Sequence, residues 1–220
     1  MQRVLWKPLH KDMPDEERIA LSQRFYQSMN RRRTVREFSS QSVPREIIEN
    51  CILTAGTAPN GANLQPWSFV VVESLEMKQK IRKTAEAEER IFYSEKISEE
   101  WADDLKPLKT SPDKRFLEEA PYLIAVFNQI YGFNPDGSKK KHYYTTESVG
   151  IATGFLITAL HQCGLGVLTY TPPQMQFLAR LLNRSDNERA FMLLVTGFPK
   201  KNVEIPDLER KPLNRIVTFH

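Results

Sequence analysis

A chain of 220 residues is sized for one domain or at most two, and 40% hydrophobic residues suffice for a core beneath an ordinary surface that is 26% charged. The net charge of +4 and a pI near 9.0 form too small an excess to argue for nucleic acid, and suit anionic cofactors or substrates. Two cysteines, Cys51 and Cys163, exclude a disulfide framework and point to a reducing, cytoplasmic setting. His10, His142, His161 and His220 show no metal-ligand spacing. Residues 1–9 carry Arg3 and Lys7 without an apolar core, so they do not read as a signal peptide. The longest apolar stretch, 149–160, falls well short of the ~20 residues that a membrane span needs.

In chain order, residues 1–14 read as an irregular arm with Pro8 and Pro14. Asp15 can cap a helix through Met29. Val43-Pro44 predicts an extended approach, with Pro44 as the first residue of a helix reaching Ala55. A loop rich in Gly, Asn and Pro spans 56–66, and the β-branched and aromatic run 68–72 reads as a buried strand. A charged helix follows over 75–90. Residues 91–112, aromatic, charged and broken by two prolines, read as a helical flap; Trp101, Lys106 and Lys109 in it read as packing or surface. The substrate flap as a whole is placed at 91–115.

Residues 122–127 are a second buried strand, and 131–141 a surface loop turning at Asn134-Pro135-Asp136-Gly137. The long apolar helix 143–162 carries Gly150, Ala152, Gly154 and Ala159, small enough for close helix contact. Strands at 166–170 and 191–197 flank a helix at 173–182. The tail, 206–220, ends in the strand-like Ile216-Val217-Thr218-Phe219 and has too little core of its own. The expectation is one α+β domain: a central mixed sheet of four to five strands flanked by helices, with the tail exchanged in a homodimer.

Two clusters carry chemistry. Arg31-Arg32-Arg33-Thr34-Val35-Arg36-Glu37-Phe38 offers planar guanidinium forks for a phosphate and a cation for a ring edge. A solvated basic run is the other reading of it. The loop Thr54 to Trp67 is built of small residues that let backbone N–H groups approach a ligand, or else is a structural turn. No G-x-G-x-x-G occurs. The lysines of Gly137-Ser138-Lys139-Lys140-Lys141 read as a solvated loop.

Together, Arg-Arg-Thr-Val-Arg-Glu-Phe and the closing Gln65-Pro66-Trp67-Ser68-Phe69 resemble the opening of the nitroreductase-like FMN flavoproteins. Val167-Leu168-Thr169-Tyr170-Thr171-Pro172 sits where that family continues its flavin site. Pro206-Asp207-Leu208-Glu209-Arg210-Lys211-Pro212-Leu213 narrows the likeness to the iodotyrosine deiodinase branch. The resemblance implies FMN as cofactor, with Arg32, Arg33 and Arg210 on its phosphate and Arg36 at the pyrimidine edge of the ring. Thr34, Val35, Asn60, Gly61, Thr169 and Tyr170 complete the implied cofactor set, and the Thr171 hydroxyl would face flavin N5 and favour one-electron steps. For Thr171 alone, the other reading is a cap for the helix at Pro173.

The same likeness implies that Glu89, Tyr93 and Lys114 grip an amino-acid zwitterion, and that the Ala62 N–H holds the phenolate oxygen of a halotyrosine. Singly these are ordinary surface residues; together they supply an acceptor for an ammonium, a phenolic donor and a cation for a carboxylate. The implied catalytic set is Thr171, Arg36 and Ala62, and the reaction is reductive removal of halide to leave tyrosine. An external electron donor would be required. Against the vertebrate pattern the sequence lacks an N-terminal membrane anchor, has Asn60 where mammals have serine, and Tyr170 where they have threonine. The alternatives are a general NAD(P)H-dependent nitroreductase or quinone reductase, a flavin-fragmenting relative, and a basic nucleic-acid module.

Overall fold

The computed structural model describes residues 12–108 and 110–220; residues 1–11 of the expected arm, His10 and Lys109 lie outside it. By internal contacts the chain divides into a short unit, Met1–Arg32, and a large one, Arg33–His220. In the first unit, helix α1 (Asp15–Asn30) follows Pro14 at the cap position. Asp15 therefore lies inside the first turn rather than capping it. There it joins Glu16 and Glu17 at the positive end of the helix dipole.

The large unit is organised by a sheet of four strands in the order β1-β2-β6-β5: β1 (Trp67–Val72), β2 (Tyr122–Gln129), β5 (Gly166–Tyr170) and β6 (Glu188–Gly197). All three ladders between them are antiparallel. The mixed character comes from an isolated parallel bridge, Thr34 to Val167. The two central strands are longer than their apolar runs suggest, because pairing continues past the buried segment to Gln129 opposite Glu188.

Strand alternation sorts the core into two layers. Leu123, Ala125 and Phe127 of β2, with Leu168 and Tyr170 of β5, face Ile81, Ala85, Leu117 and Phe177. Those partners come from α3 (Leu75–Ile91), α5 (Phe116–Glu119) and α7 (Gln176–Leu181). Tyr122, Ile124, Val126 and Val167 face the other way, onto α2 (Arg45–Gly56) and α6 (Thr145–Gln162). Pro44 stands at the cap of α2, one residue outside the helix. Helix α3 begins cleanly because the Ser74 hydroxyl accepts the Met77 N–H at 3.3 Å. Cys51 of the second layer and the exposed Cys163 are both free thiols with Sγ atoms 4.0 Å apart, and burial first pushes the Cys51 thiol up to about 12.

Three segments differ from their sequence reading. The surface loop at 131–141 is a small hairpin, β3 (Tyr131–Phe133) with β4 (Lys139–Lys141), turned at the expected Asn134 to Gly137. Lys139 lies 4.4 Å from the centre of the Tyr131 ring, so part of that lysine run has a packing partner. The C-terminal 216–219 forms no strand, because the Ile216 and Val217 N–H groups both turn back to the Leu213 carbonyl, at 3.0 and 3.1 Å. A local turn has taken the donors that a ladder would need. The helix expected at Pro173 starts at Gln176 with Met175 at its cap, so Thr171 does not cap it. Among the described residues, no helix is long and apolar enough to cross a membrane.

Candidate active site

A cavity of about 550 Å³ opens at the C-terminal end of β5, on the α3 side of the sheet. That is an ordinary volume for a cofactor or substrate pocket. The first segment to reach it is delivered by pairing. Val35 donates its N–H to the Val167 carbonyl at 3.2 Å, so residues 34–36 run beside β5. Two residues beyond that bridge, Arg36 and Thr169 both line the cavity. The approach is tight: a Cβ on Gly166 would lie 3.0 Å from two Val35 side-chain atoms. Even a methyl group there would require the Val35 side chain to give by a few tenths of an ångström.

Arg36 is half-buried, and burial lowers its pKa without an opposing contribution from any carboxylate among the described residues. A guanidinium held this way beside an open cavity is suited to an anionic ligand. Thr169 and Thr171 are exposed at the strand end and line the same space.

The opposite wall comes from α3 and the chain after it. Glu89 and Tyr93 are four residues apart on one helical face and both line the cavity. Beyond Ile91 the helix widens into a π-turn, Phe92–Lys96, closed by the Ile97 N–H on the Phe92 carbonyl at 2.9 Å. Helix α4 (Glu99–Leu105) follows, then a 3₁₀ turn, so the segment is largely helical among its described residues. Buried Phe92 meets Trp101 edge to face with ring centres 4.8 Å apart. Trp101 is thus a wall of the cavity as well as packing.

Glu89 and Lys114 are 6% exposed each, and Lys114 Nζ lies 3.3 Å from Glu89 Oε2. Burial lowers the Lys114 pKa most; the Glu89 carboxylate opposes that, and the Arg36 cation adds to it. Tyr170 donates its hydroxyl to the other Glu89 oxygen at 3.0 Å. The Tyr93 and Thr110 hydroxyls are 3.0 Å apart. A residue the sequence reading did not single out, Glu86, braces the wall from outside the cavity. Its carboxylate accepts the Lys114 N–H at 2.9 Å and pairs with Arg82 at 2.6 Å. Arg82 also reaches Asp113 and Glu118 at 3.1 and 3.2 Å. The signal available was position: Glu86 lies one turn before Glu89 on the same charged helix.

The structure therefore brings seven of the sequence-derived residues around one cavity: Arg36, Glu89, Tyr93, Lys114, Thr169, Tyr170 and Thr171. Tyr170 faces away from its two threonine neighbours and into the Glu89 side. Arg33, Thr34, Val35, Asn60, Gly61, Ala62 and Arg210 do not line it. Thr34 and Val35 act as the pairing that carries Arg36, and Arg33 donates to the Pro206 carbonyl, at the start of the tail that bears Arg210. Arg32 closes the first unit, with its N–H on the Met29 carbonyl at 3.0 Å.

The small-residue loop is an exposed, left-handed backbone segment: Ala62, Asn63 and Gln65 have φ of 50°, 53° and 48°. Such values are costly for residues with a Cβ and cluster at ligand sites. Asn60 holds the loop in shape, accepting the Gln65 N–H at 2.8 Å and donating to Ala58 at 3.1 Å.

Residues 29–198 match the Nitroreductase family. The chain is 52% identical over 196 residues to an iodotyrosine deiodinase of Haliscomenobacter hydrossis, covering 89% of this chain and 88% of that one. It is 46% identical to human iodotyrosine deiodinase 1, over 94% of this chain and 72% of that one. A crystal structure of oxidized iodotyrosine deiodinase bound to FMN and 3-iodo-L-tyrosine superposes with a TM-score of 0.77 at 32% identity, covering 89% of this chain and all of that one. A BluB-like flavoprotein from Clostridium difficile, at 23% identity and a TM-score of 0.68, shares the fold. On these grounds the chain belongs to the nitroreductase family, in its iodotyrosine deiodinase branch.

Proposed function

We propose that this protein is an FMN-dependent reductive deiodinase of halotyrosines. The observation that carries the reading is the pairing of opposite walls. A half-buried guanidinium that no carboxylate among the described residues neutralises, Arg36, faces a cavity whose other wall holds Glu89, Tyr93 and Lys114. The first suits the electron-rich edge of a flavin ring, the second an amino-acid head group. FMN, when bound, supplies the reducing electrons: two electrons and one proton convert the aryl iodide to tyrosine and iodide. An external donor restores them.

The roles of this chain's residues follow from their chemistry. Arg32, Arg33 and Arg210 hold the FMN phosphate, Arg36 the pyrimidine edge, and Thr169 and Thr171 present hydroxyls to the ring. Glu89 accepts the substrate ammonium, and Lys114 and Tyr93 take its carboxylate. To do so, the Glu89–Lys114 pair must open around the incoming head group, exchanging one buried ion pair for two. The aromatic flap of Phe92 and Trp101 then closes over the ring and excludes water.

The loop with Ala62 is read as the site of the phenolate contact, supplied by a second copy of the chain. Supporting this, Ala62 is exposed and off the cavity of its own chain. The tail leaves Leu208, Leu213, Ile216 and Phe219 at least half exposed, and α6 leaves Ile151 and Phe155 partly so, one turn apart. We therefore read the active form as a homodimer. A cytoplasmic setting is supported by two free thiols in contact.

The test is anaerobic turnover of a halotyrosine panel by dithionite-reduced, FMN-loaded protein. Release of halide with tyrosine as product is expected. Reduction of nitroaromatics with no halide released from any halotyrosine would replace this reading with a general nitroreductase.

A further inference from the structure

We infer that Tyr170 is a positioning residue of the amino-acid clamp, setting selectivity for zwitterionic substrates through Glu89, rather than a contact of the flavin. The inference rests on the deiodinase reading above and assigns a role within it. Three observations converge. Strand alternation turns Tyr170 to the α3 side, buried with 6% of its surface exposed, while Thr169 and Thr171 on either side of it are exposed. Its hydroxyl donates to Glu89 Oε1 at 3.0 Å. Its ring is fixed edge-on by Phe116, with centres 5.7 Å apart, and Lys114 Nζ sits 5.7 Å from its centroid.

The consequence lies in how the carboxylate is shared. Glu89 gives one oxygen to Tyr170 and the other to Lys114, at 3.3 Å. A relaxed ammonium–carboxylate pair closes to about 2.7–2.9 Å. Tyr170 thus keeps the carboxylate turned away from full contact with Lys114, and a carboxylate still has free lone pairs for an incoming ammonium. Burial pushes the Tyr170 phenol up, and the Glu89 charge adds to that, so the hydroxyl stays a neutral donor. Without this hydroxyl, Glu89 is free to collapse onto Lys114, and the clamp closes on itself.

The experiment uses FMN-loaded protein and flavin-fluorescence titration with 3-iodotyrosine and 2-iodophenol, taking the ratio of their affinities. Tyr170→Phe keeps the ring and removes only the hydroxyl. Its ratio is expected to fall roughly tenfold to a hundredfold, the worth of one hydrogen bond to a charged group, with FMN still bound. In a Glu89→Gln background the same substitution is expected to change the ratio by less than about twofold, because its effect runs through the carboxylate. Should Tyr170→Phe fail to melt cooperatively, Tyr170→Met is read in the same way.

An unchanged ratio overturns the inference. So does an equal fall in both backgrounds, or loss of FMN at constant ratio, which would return Tyr170 to the flavin. A wild-type protein that binds both ligands equally overturns the deiodinase reading itself, and this inference with it. That outcome is visible before any substitution is made.

Discussion

Replacing Glu89 with glutamine isolates a single buried charge. The change is nearly isosteric and leaves Lys114, with its side chain 7% exposed, facing a neutral amide at the former 3.3 Å. Two independent bounds agree on the cost. Coulomb attraction at that separation, with an effective dielectric of ~20, is about 5 kcal/mol gross. Neutralising a lysine of ordinary pKa 10.5 at pH 7 costs about 1.4 kcal/mol per unit, again about 5 kcal/mol, which caps the loss. Removing one partner of a buried pair typically costs about 3–5 kcal/mol. For a chain of this size that is a fall in Tm of roughly 6–20 °C.

The pH dependence identifies the cause. Burial already holds Lys114 below its unfolded pKa, and Glu89 opposes that depression; in Glu89→Gln the pKa falls further. The penalty is fully present below the variant's folded pKa and fades as pH rises towards 10.5. Urea unfolding of wild type and variant from pH 7 to pH 10 should therefore show a gap that narrows with rising pH. A gap that stays constant across that range would refute the argument that an unpaired Lys114 charge is responsible.

Other outcomes follow from the same geometry. Lys114→Ala should weaken iodotyrosine binding by about 2–5 kcal/mol, roughly 30- to 4000-fold, while nitroaromatic reduction survives; equal losses in both would disprove a zwitterion clamp. Arg210→Ala should weaken FMN retention by about 1.5–3 kcal/mol, measured as flavin released on gel filtration. An unaltered yellow protein would remove Arg210 from the phosphate site. Light scattering should find a dimer, and a flavin-loaded, active monomer would rule out the shared site.

Much of this was legible in the sequence, for identifiable reasons. Buried strands announce themselves by apolar runs, so 68–72, 122–127 and 166–170 stand within a residue or two of β1, β2 and β5. The hairpin at 131–141 hid behind three lysines, because charged side chains say nothing about backbone pairing on an exposed edge. The tail misled in the opposite sense. Ile216 to Phe219 have strand propensity, yet a nearby 3₁₀ turn captured the donors. Family motifs pointed to Arg36, Glu89, Tyr93 and Lys114, which do line one cavity, but a motif treats neighbours alike. Tyr170 was grouped with Thr169 and Thr171, whereas the two-residue period of β5 sends it to the opposite side. Glu86 carried no motif at all; its part depends on a contact to Lys114 made 28 residues away.

That contact decides what in the site can move. Helix α3 holds Glu89 directly and, through Glu86, the backbone of Lys114. Both charges proposed to meet the amino acid are thereby fastened to one rod, and the segment between them, among its described residues, leaves that rod through the π-turn and α4 before the chain returns at Lys114. On the proposed reading, movement of the part beyond Ile97 would leave the spacing of those two charges unchanged. Choice of head group and exclusion of water would then be separable. A chain with residues 97–108 replaced by a short linker should still tell an amino acid from a phenol, and should fail only at keeping the solvent out.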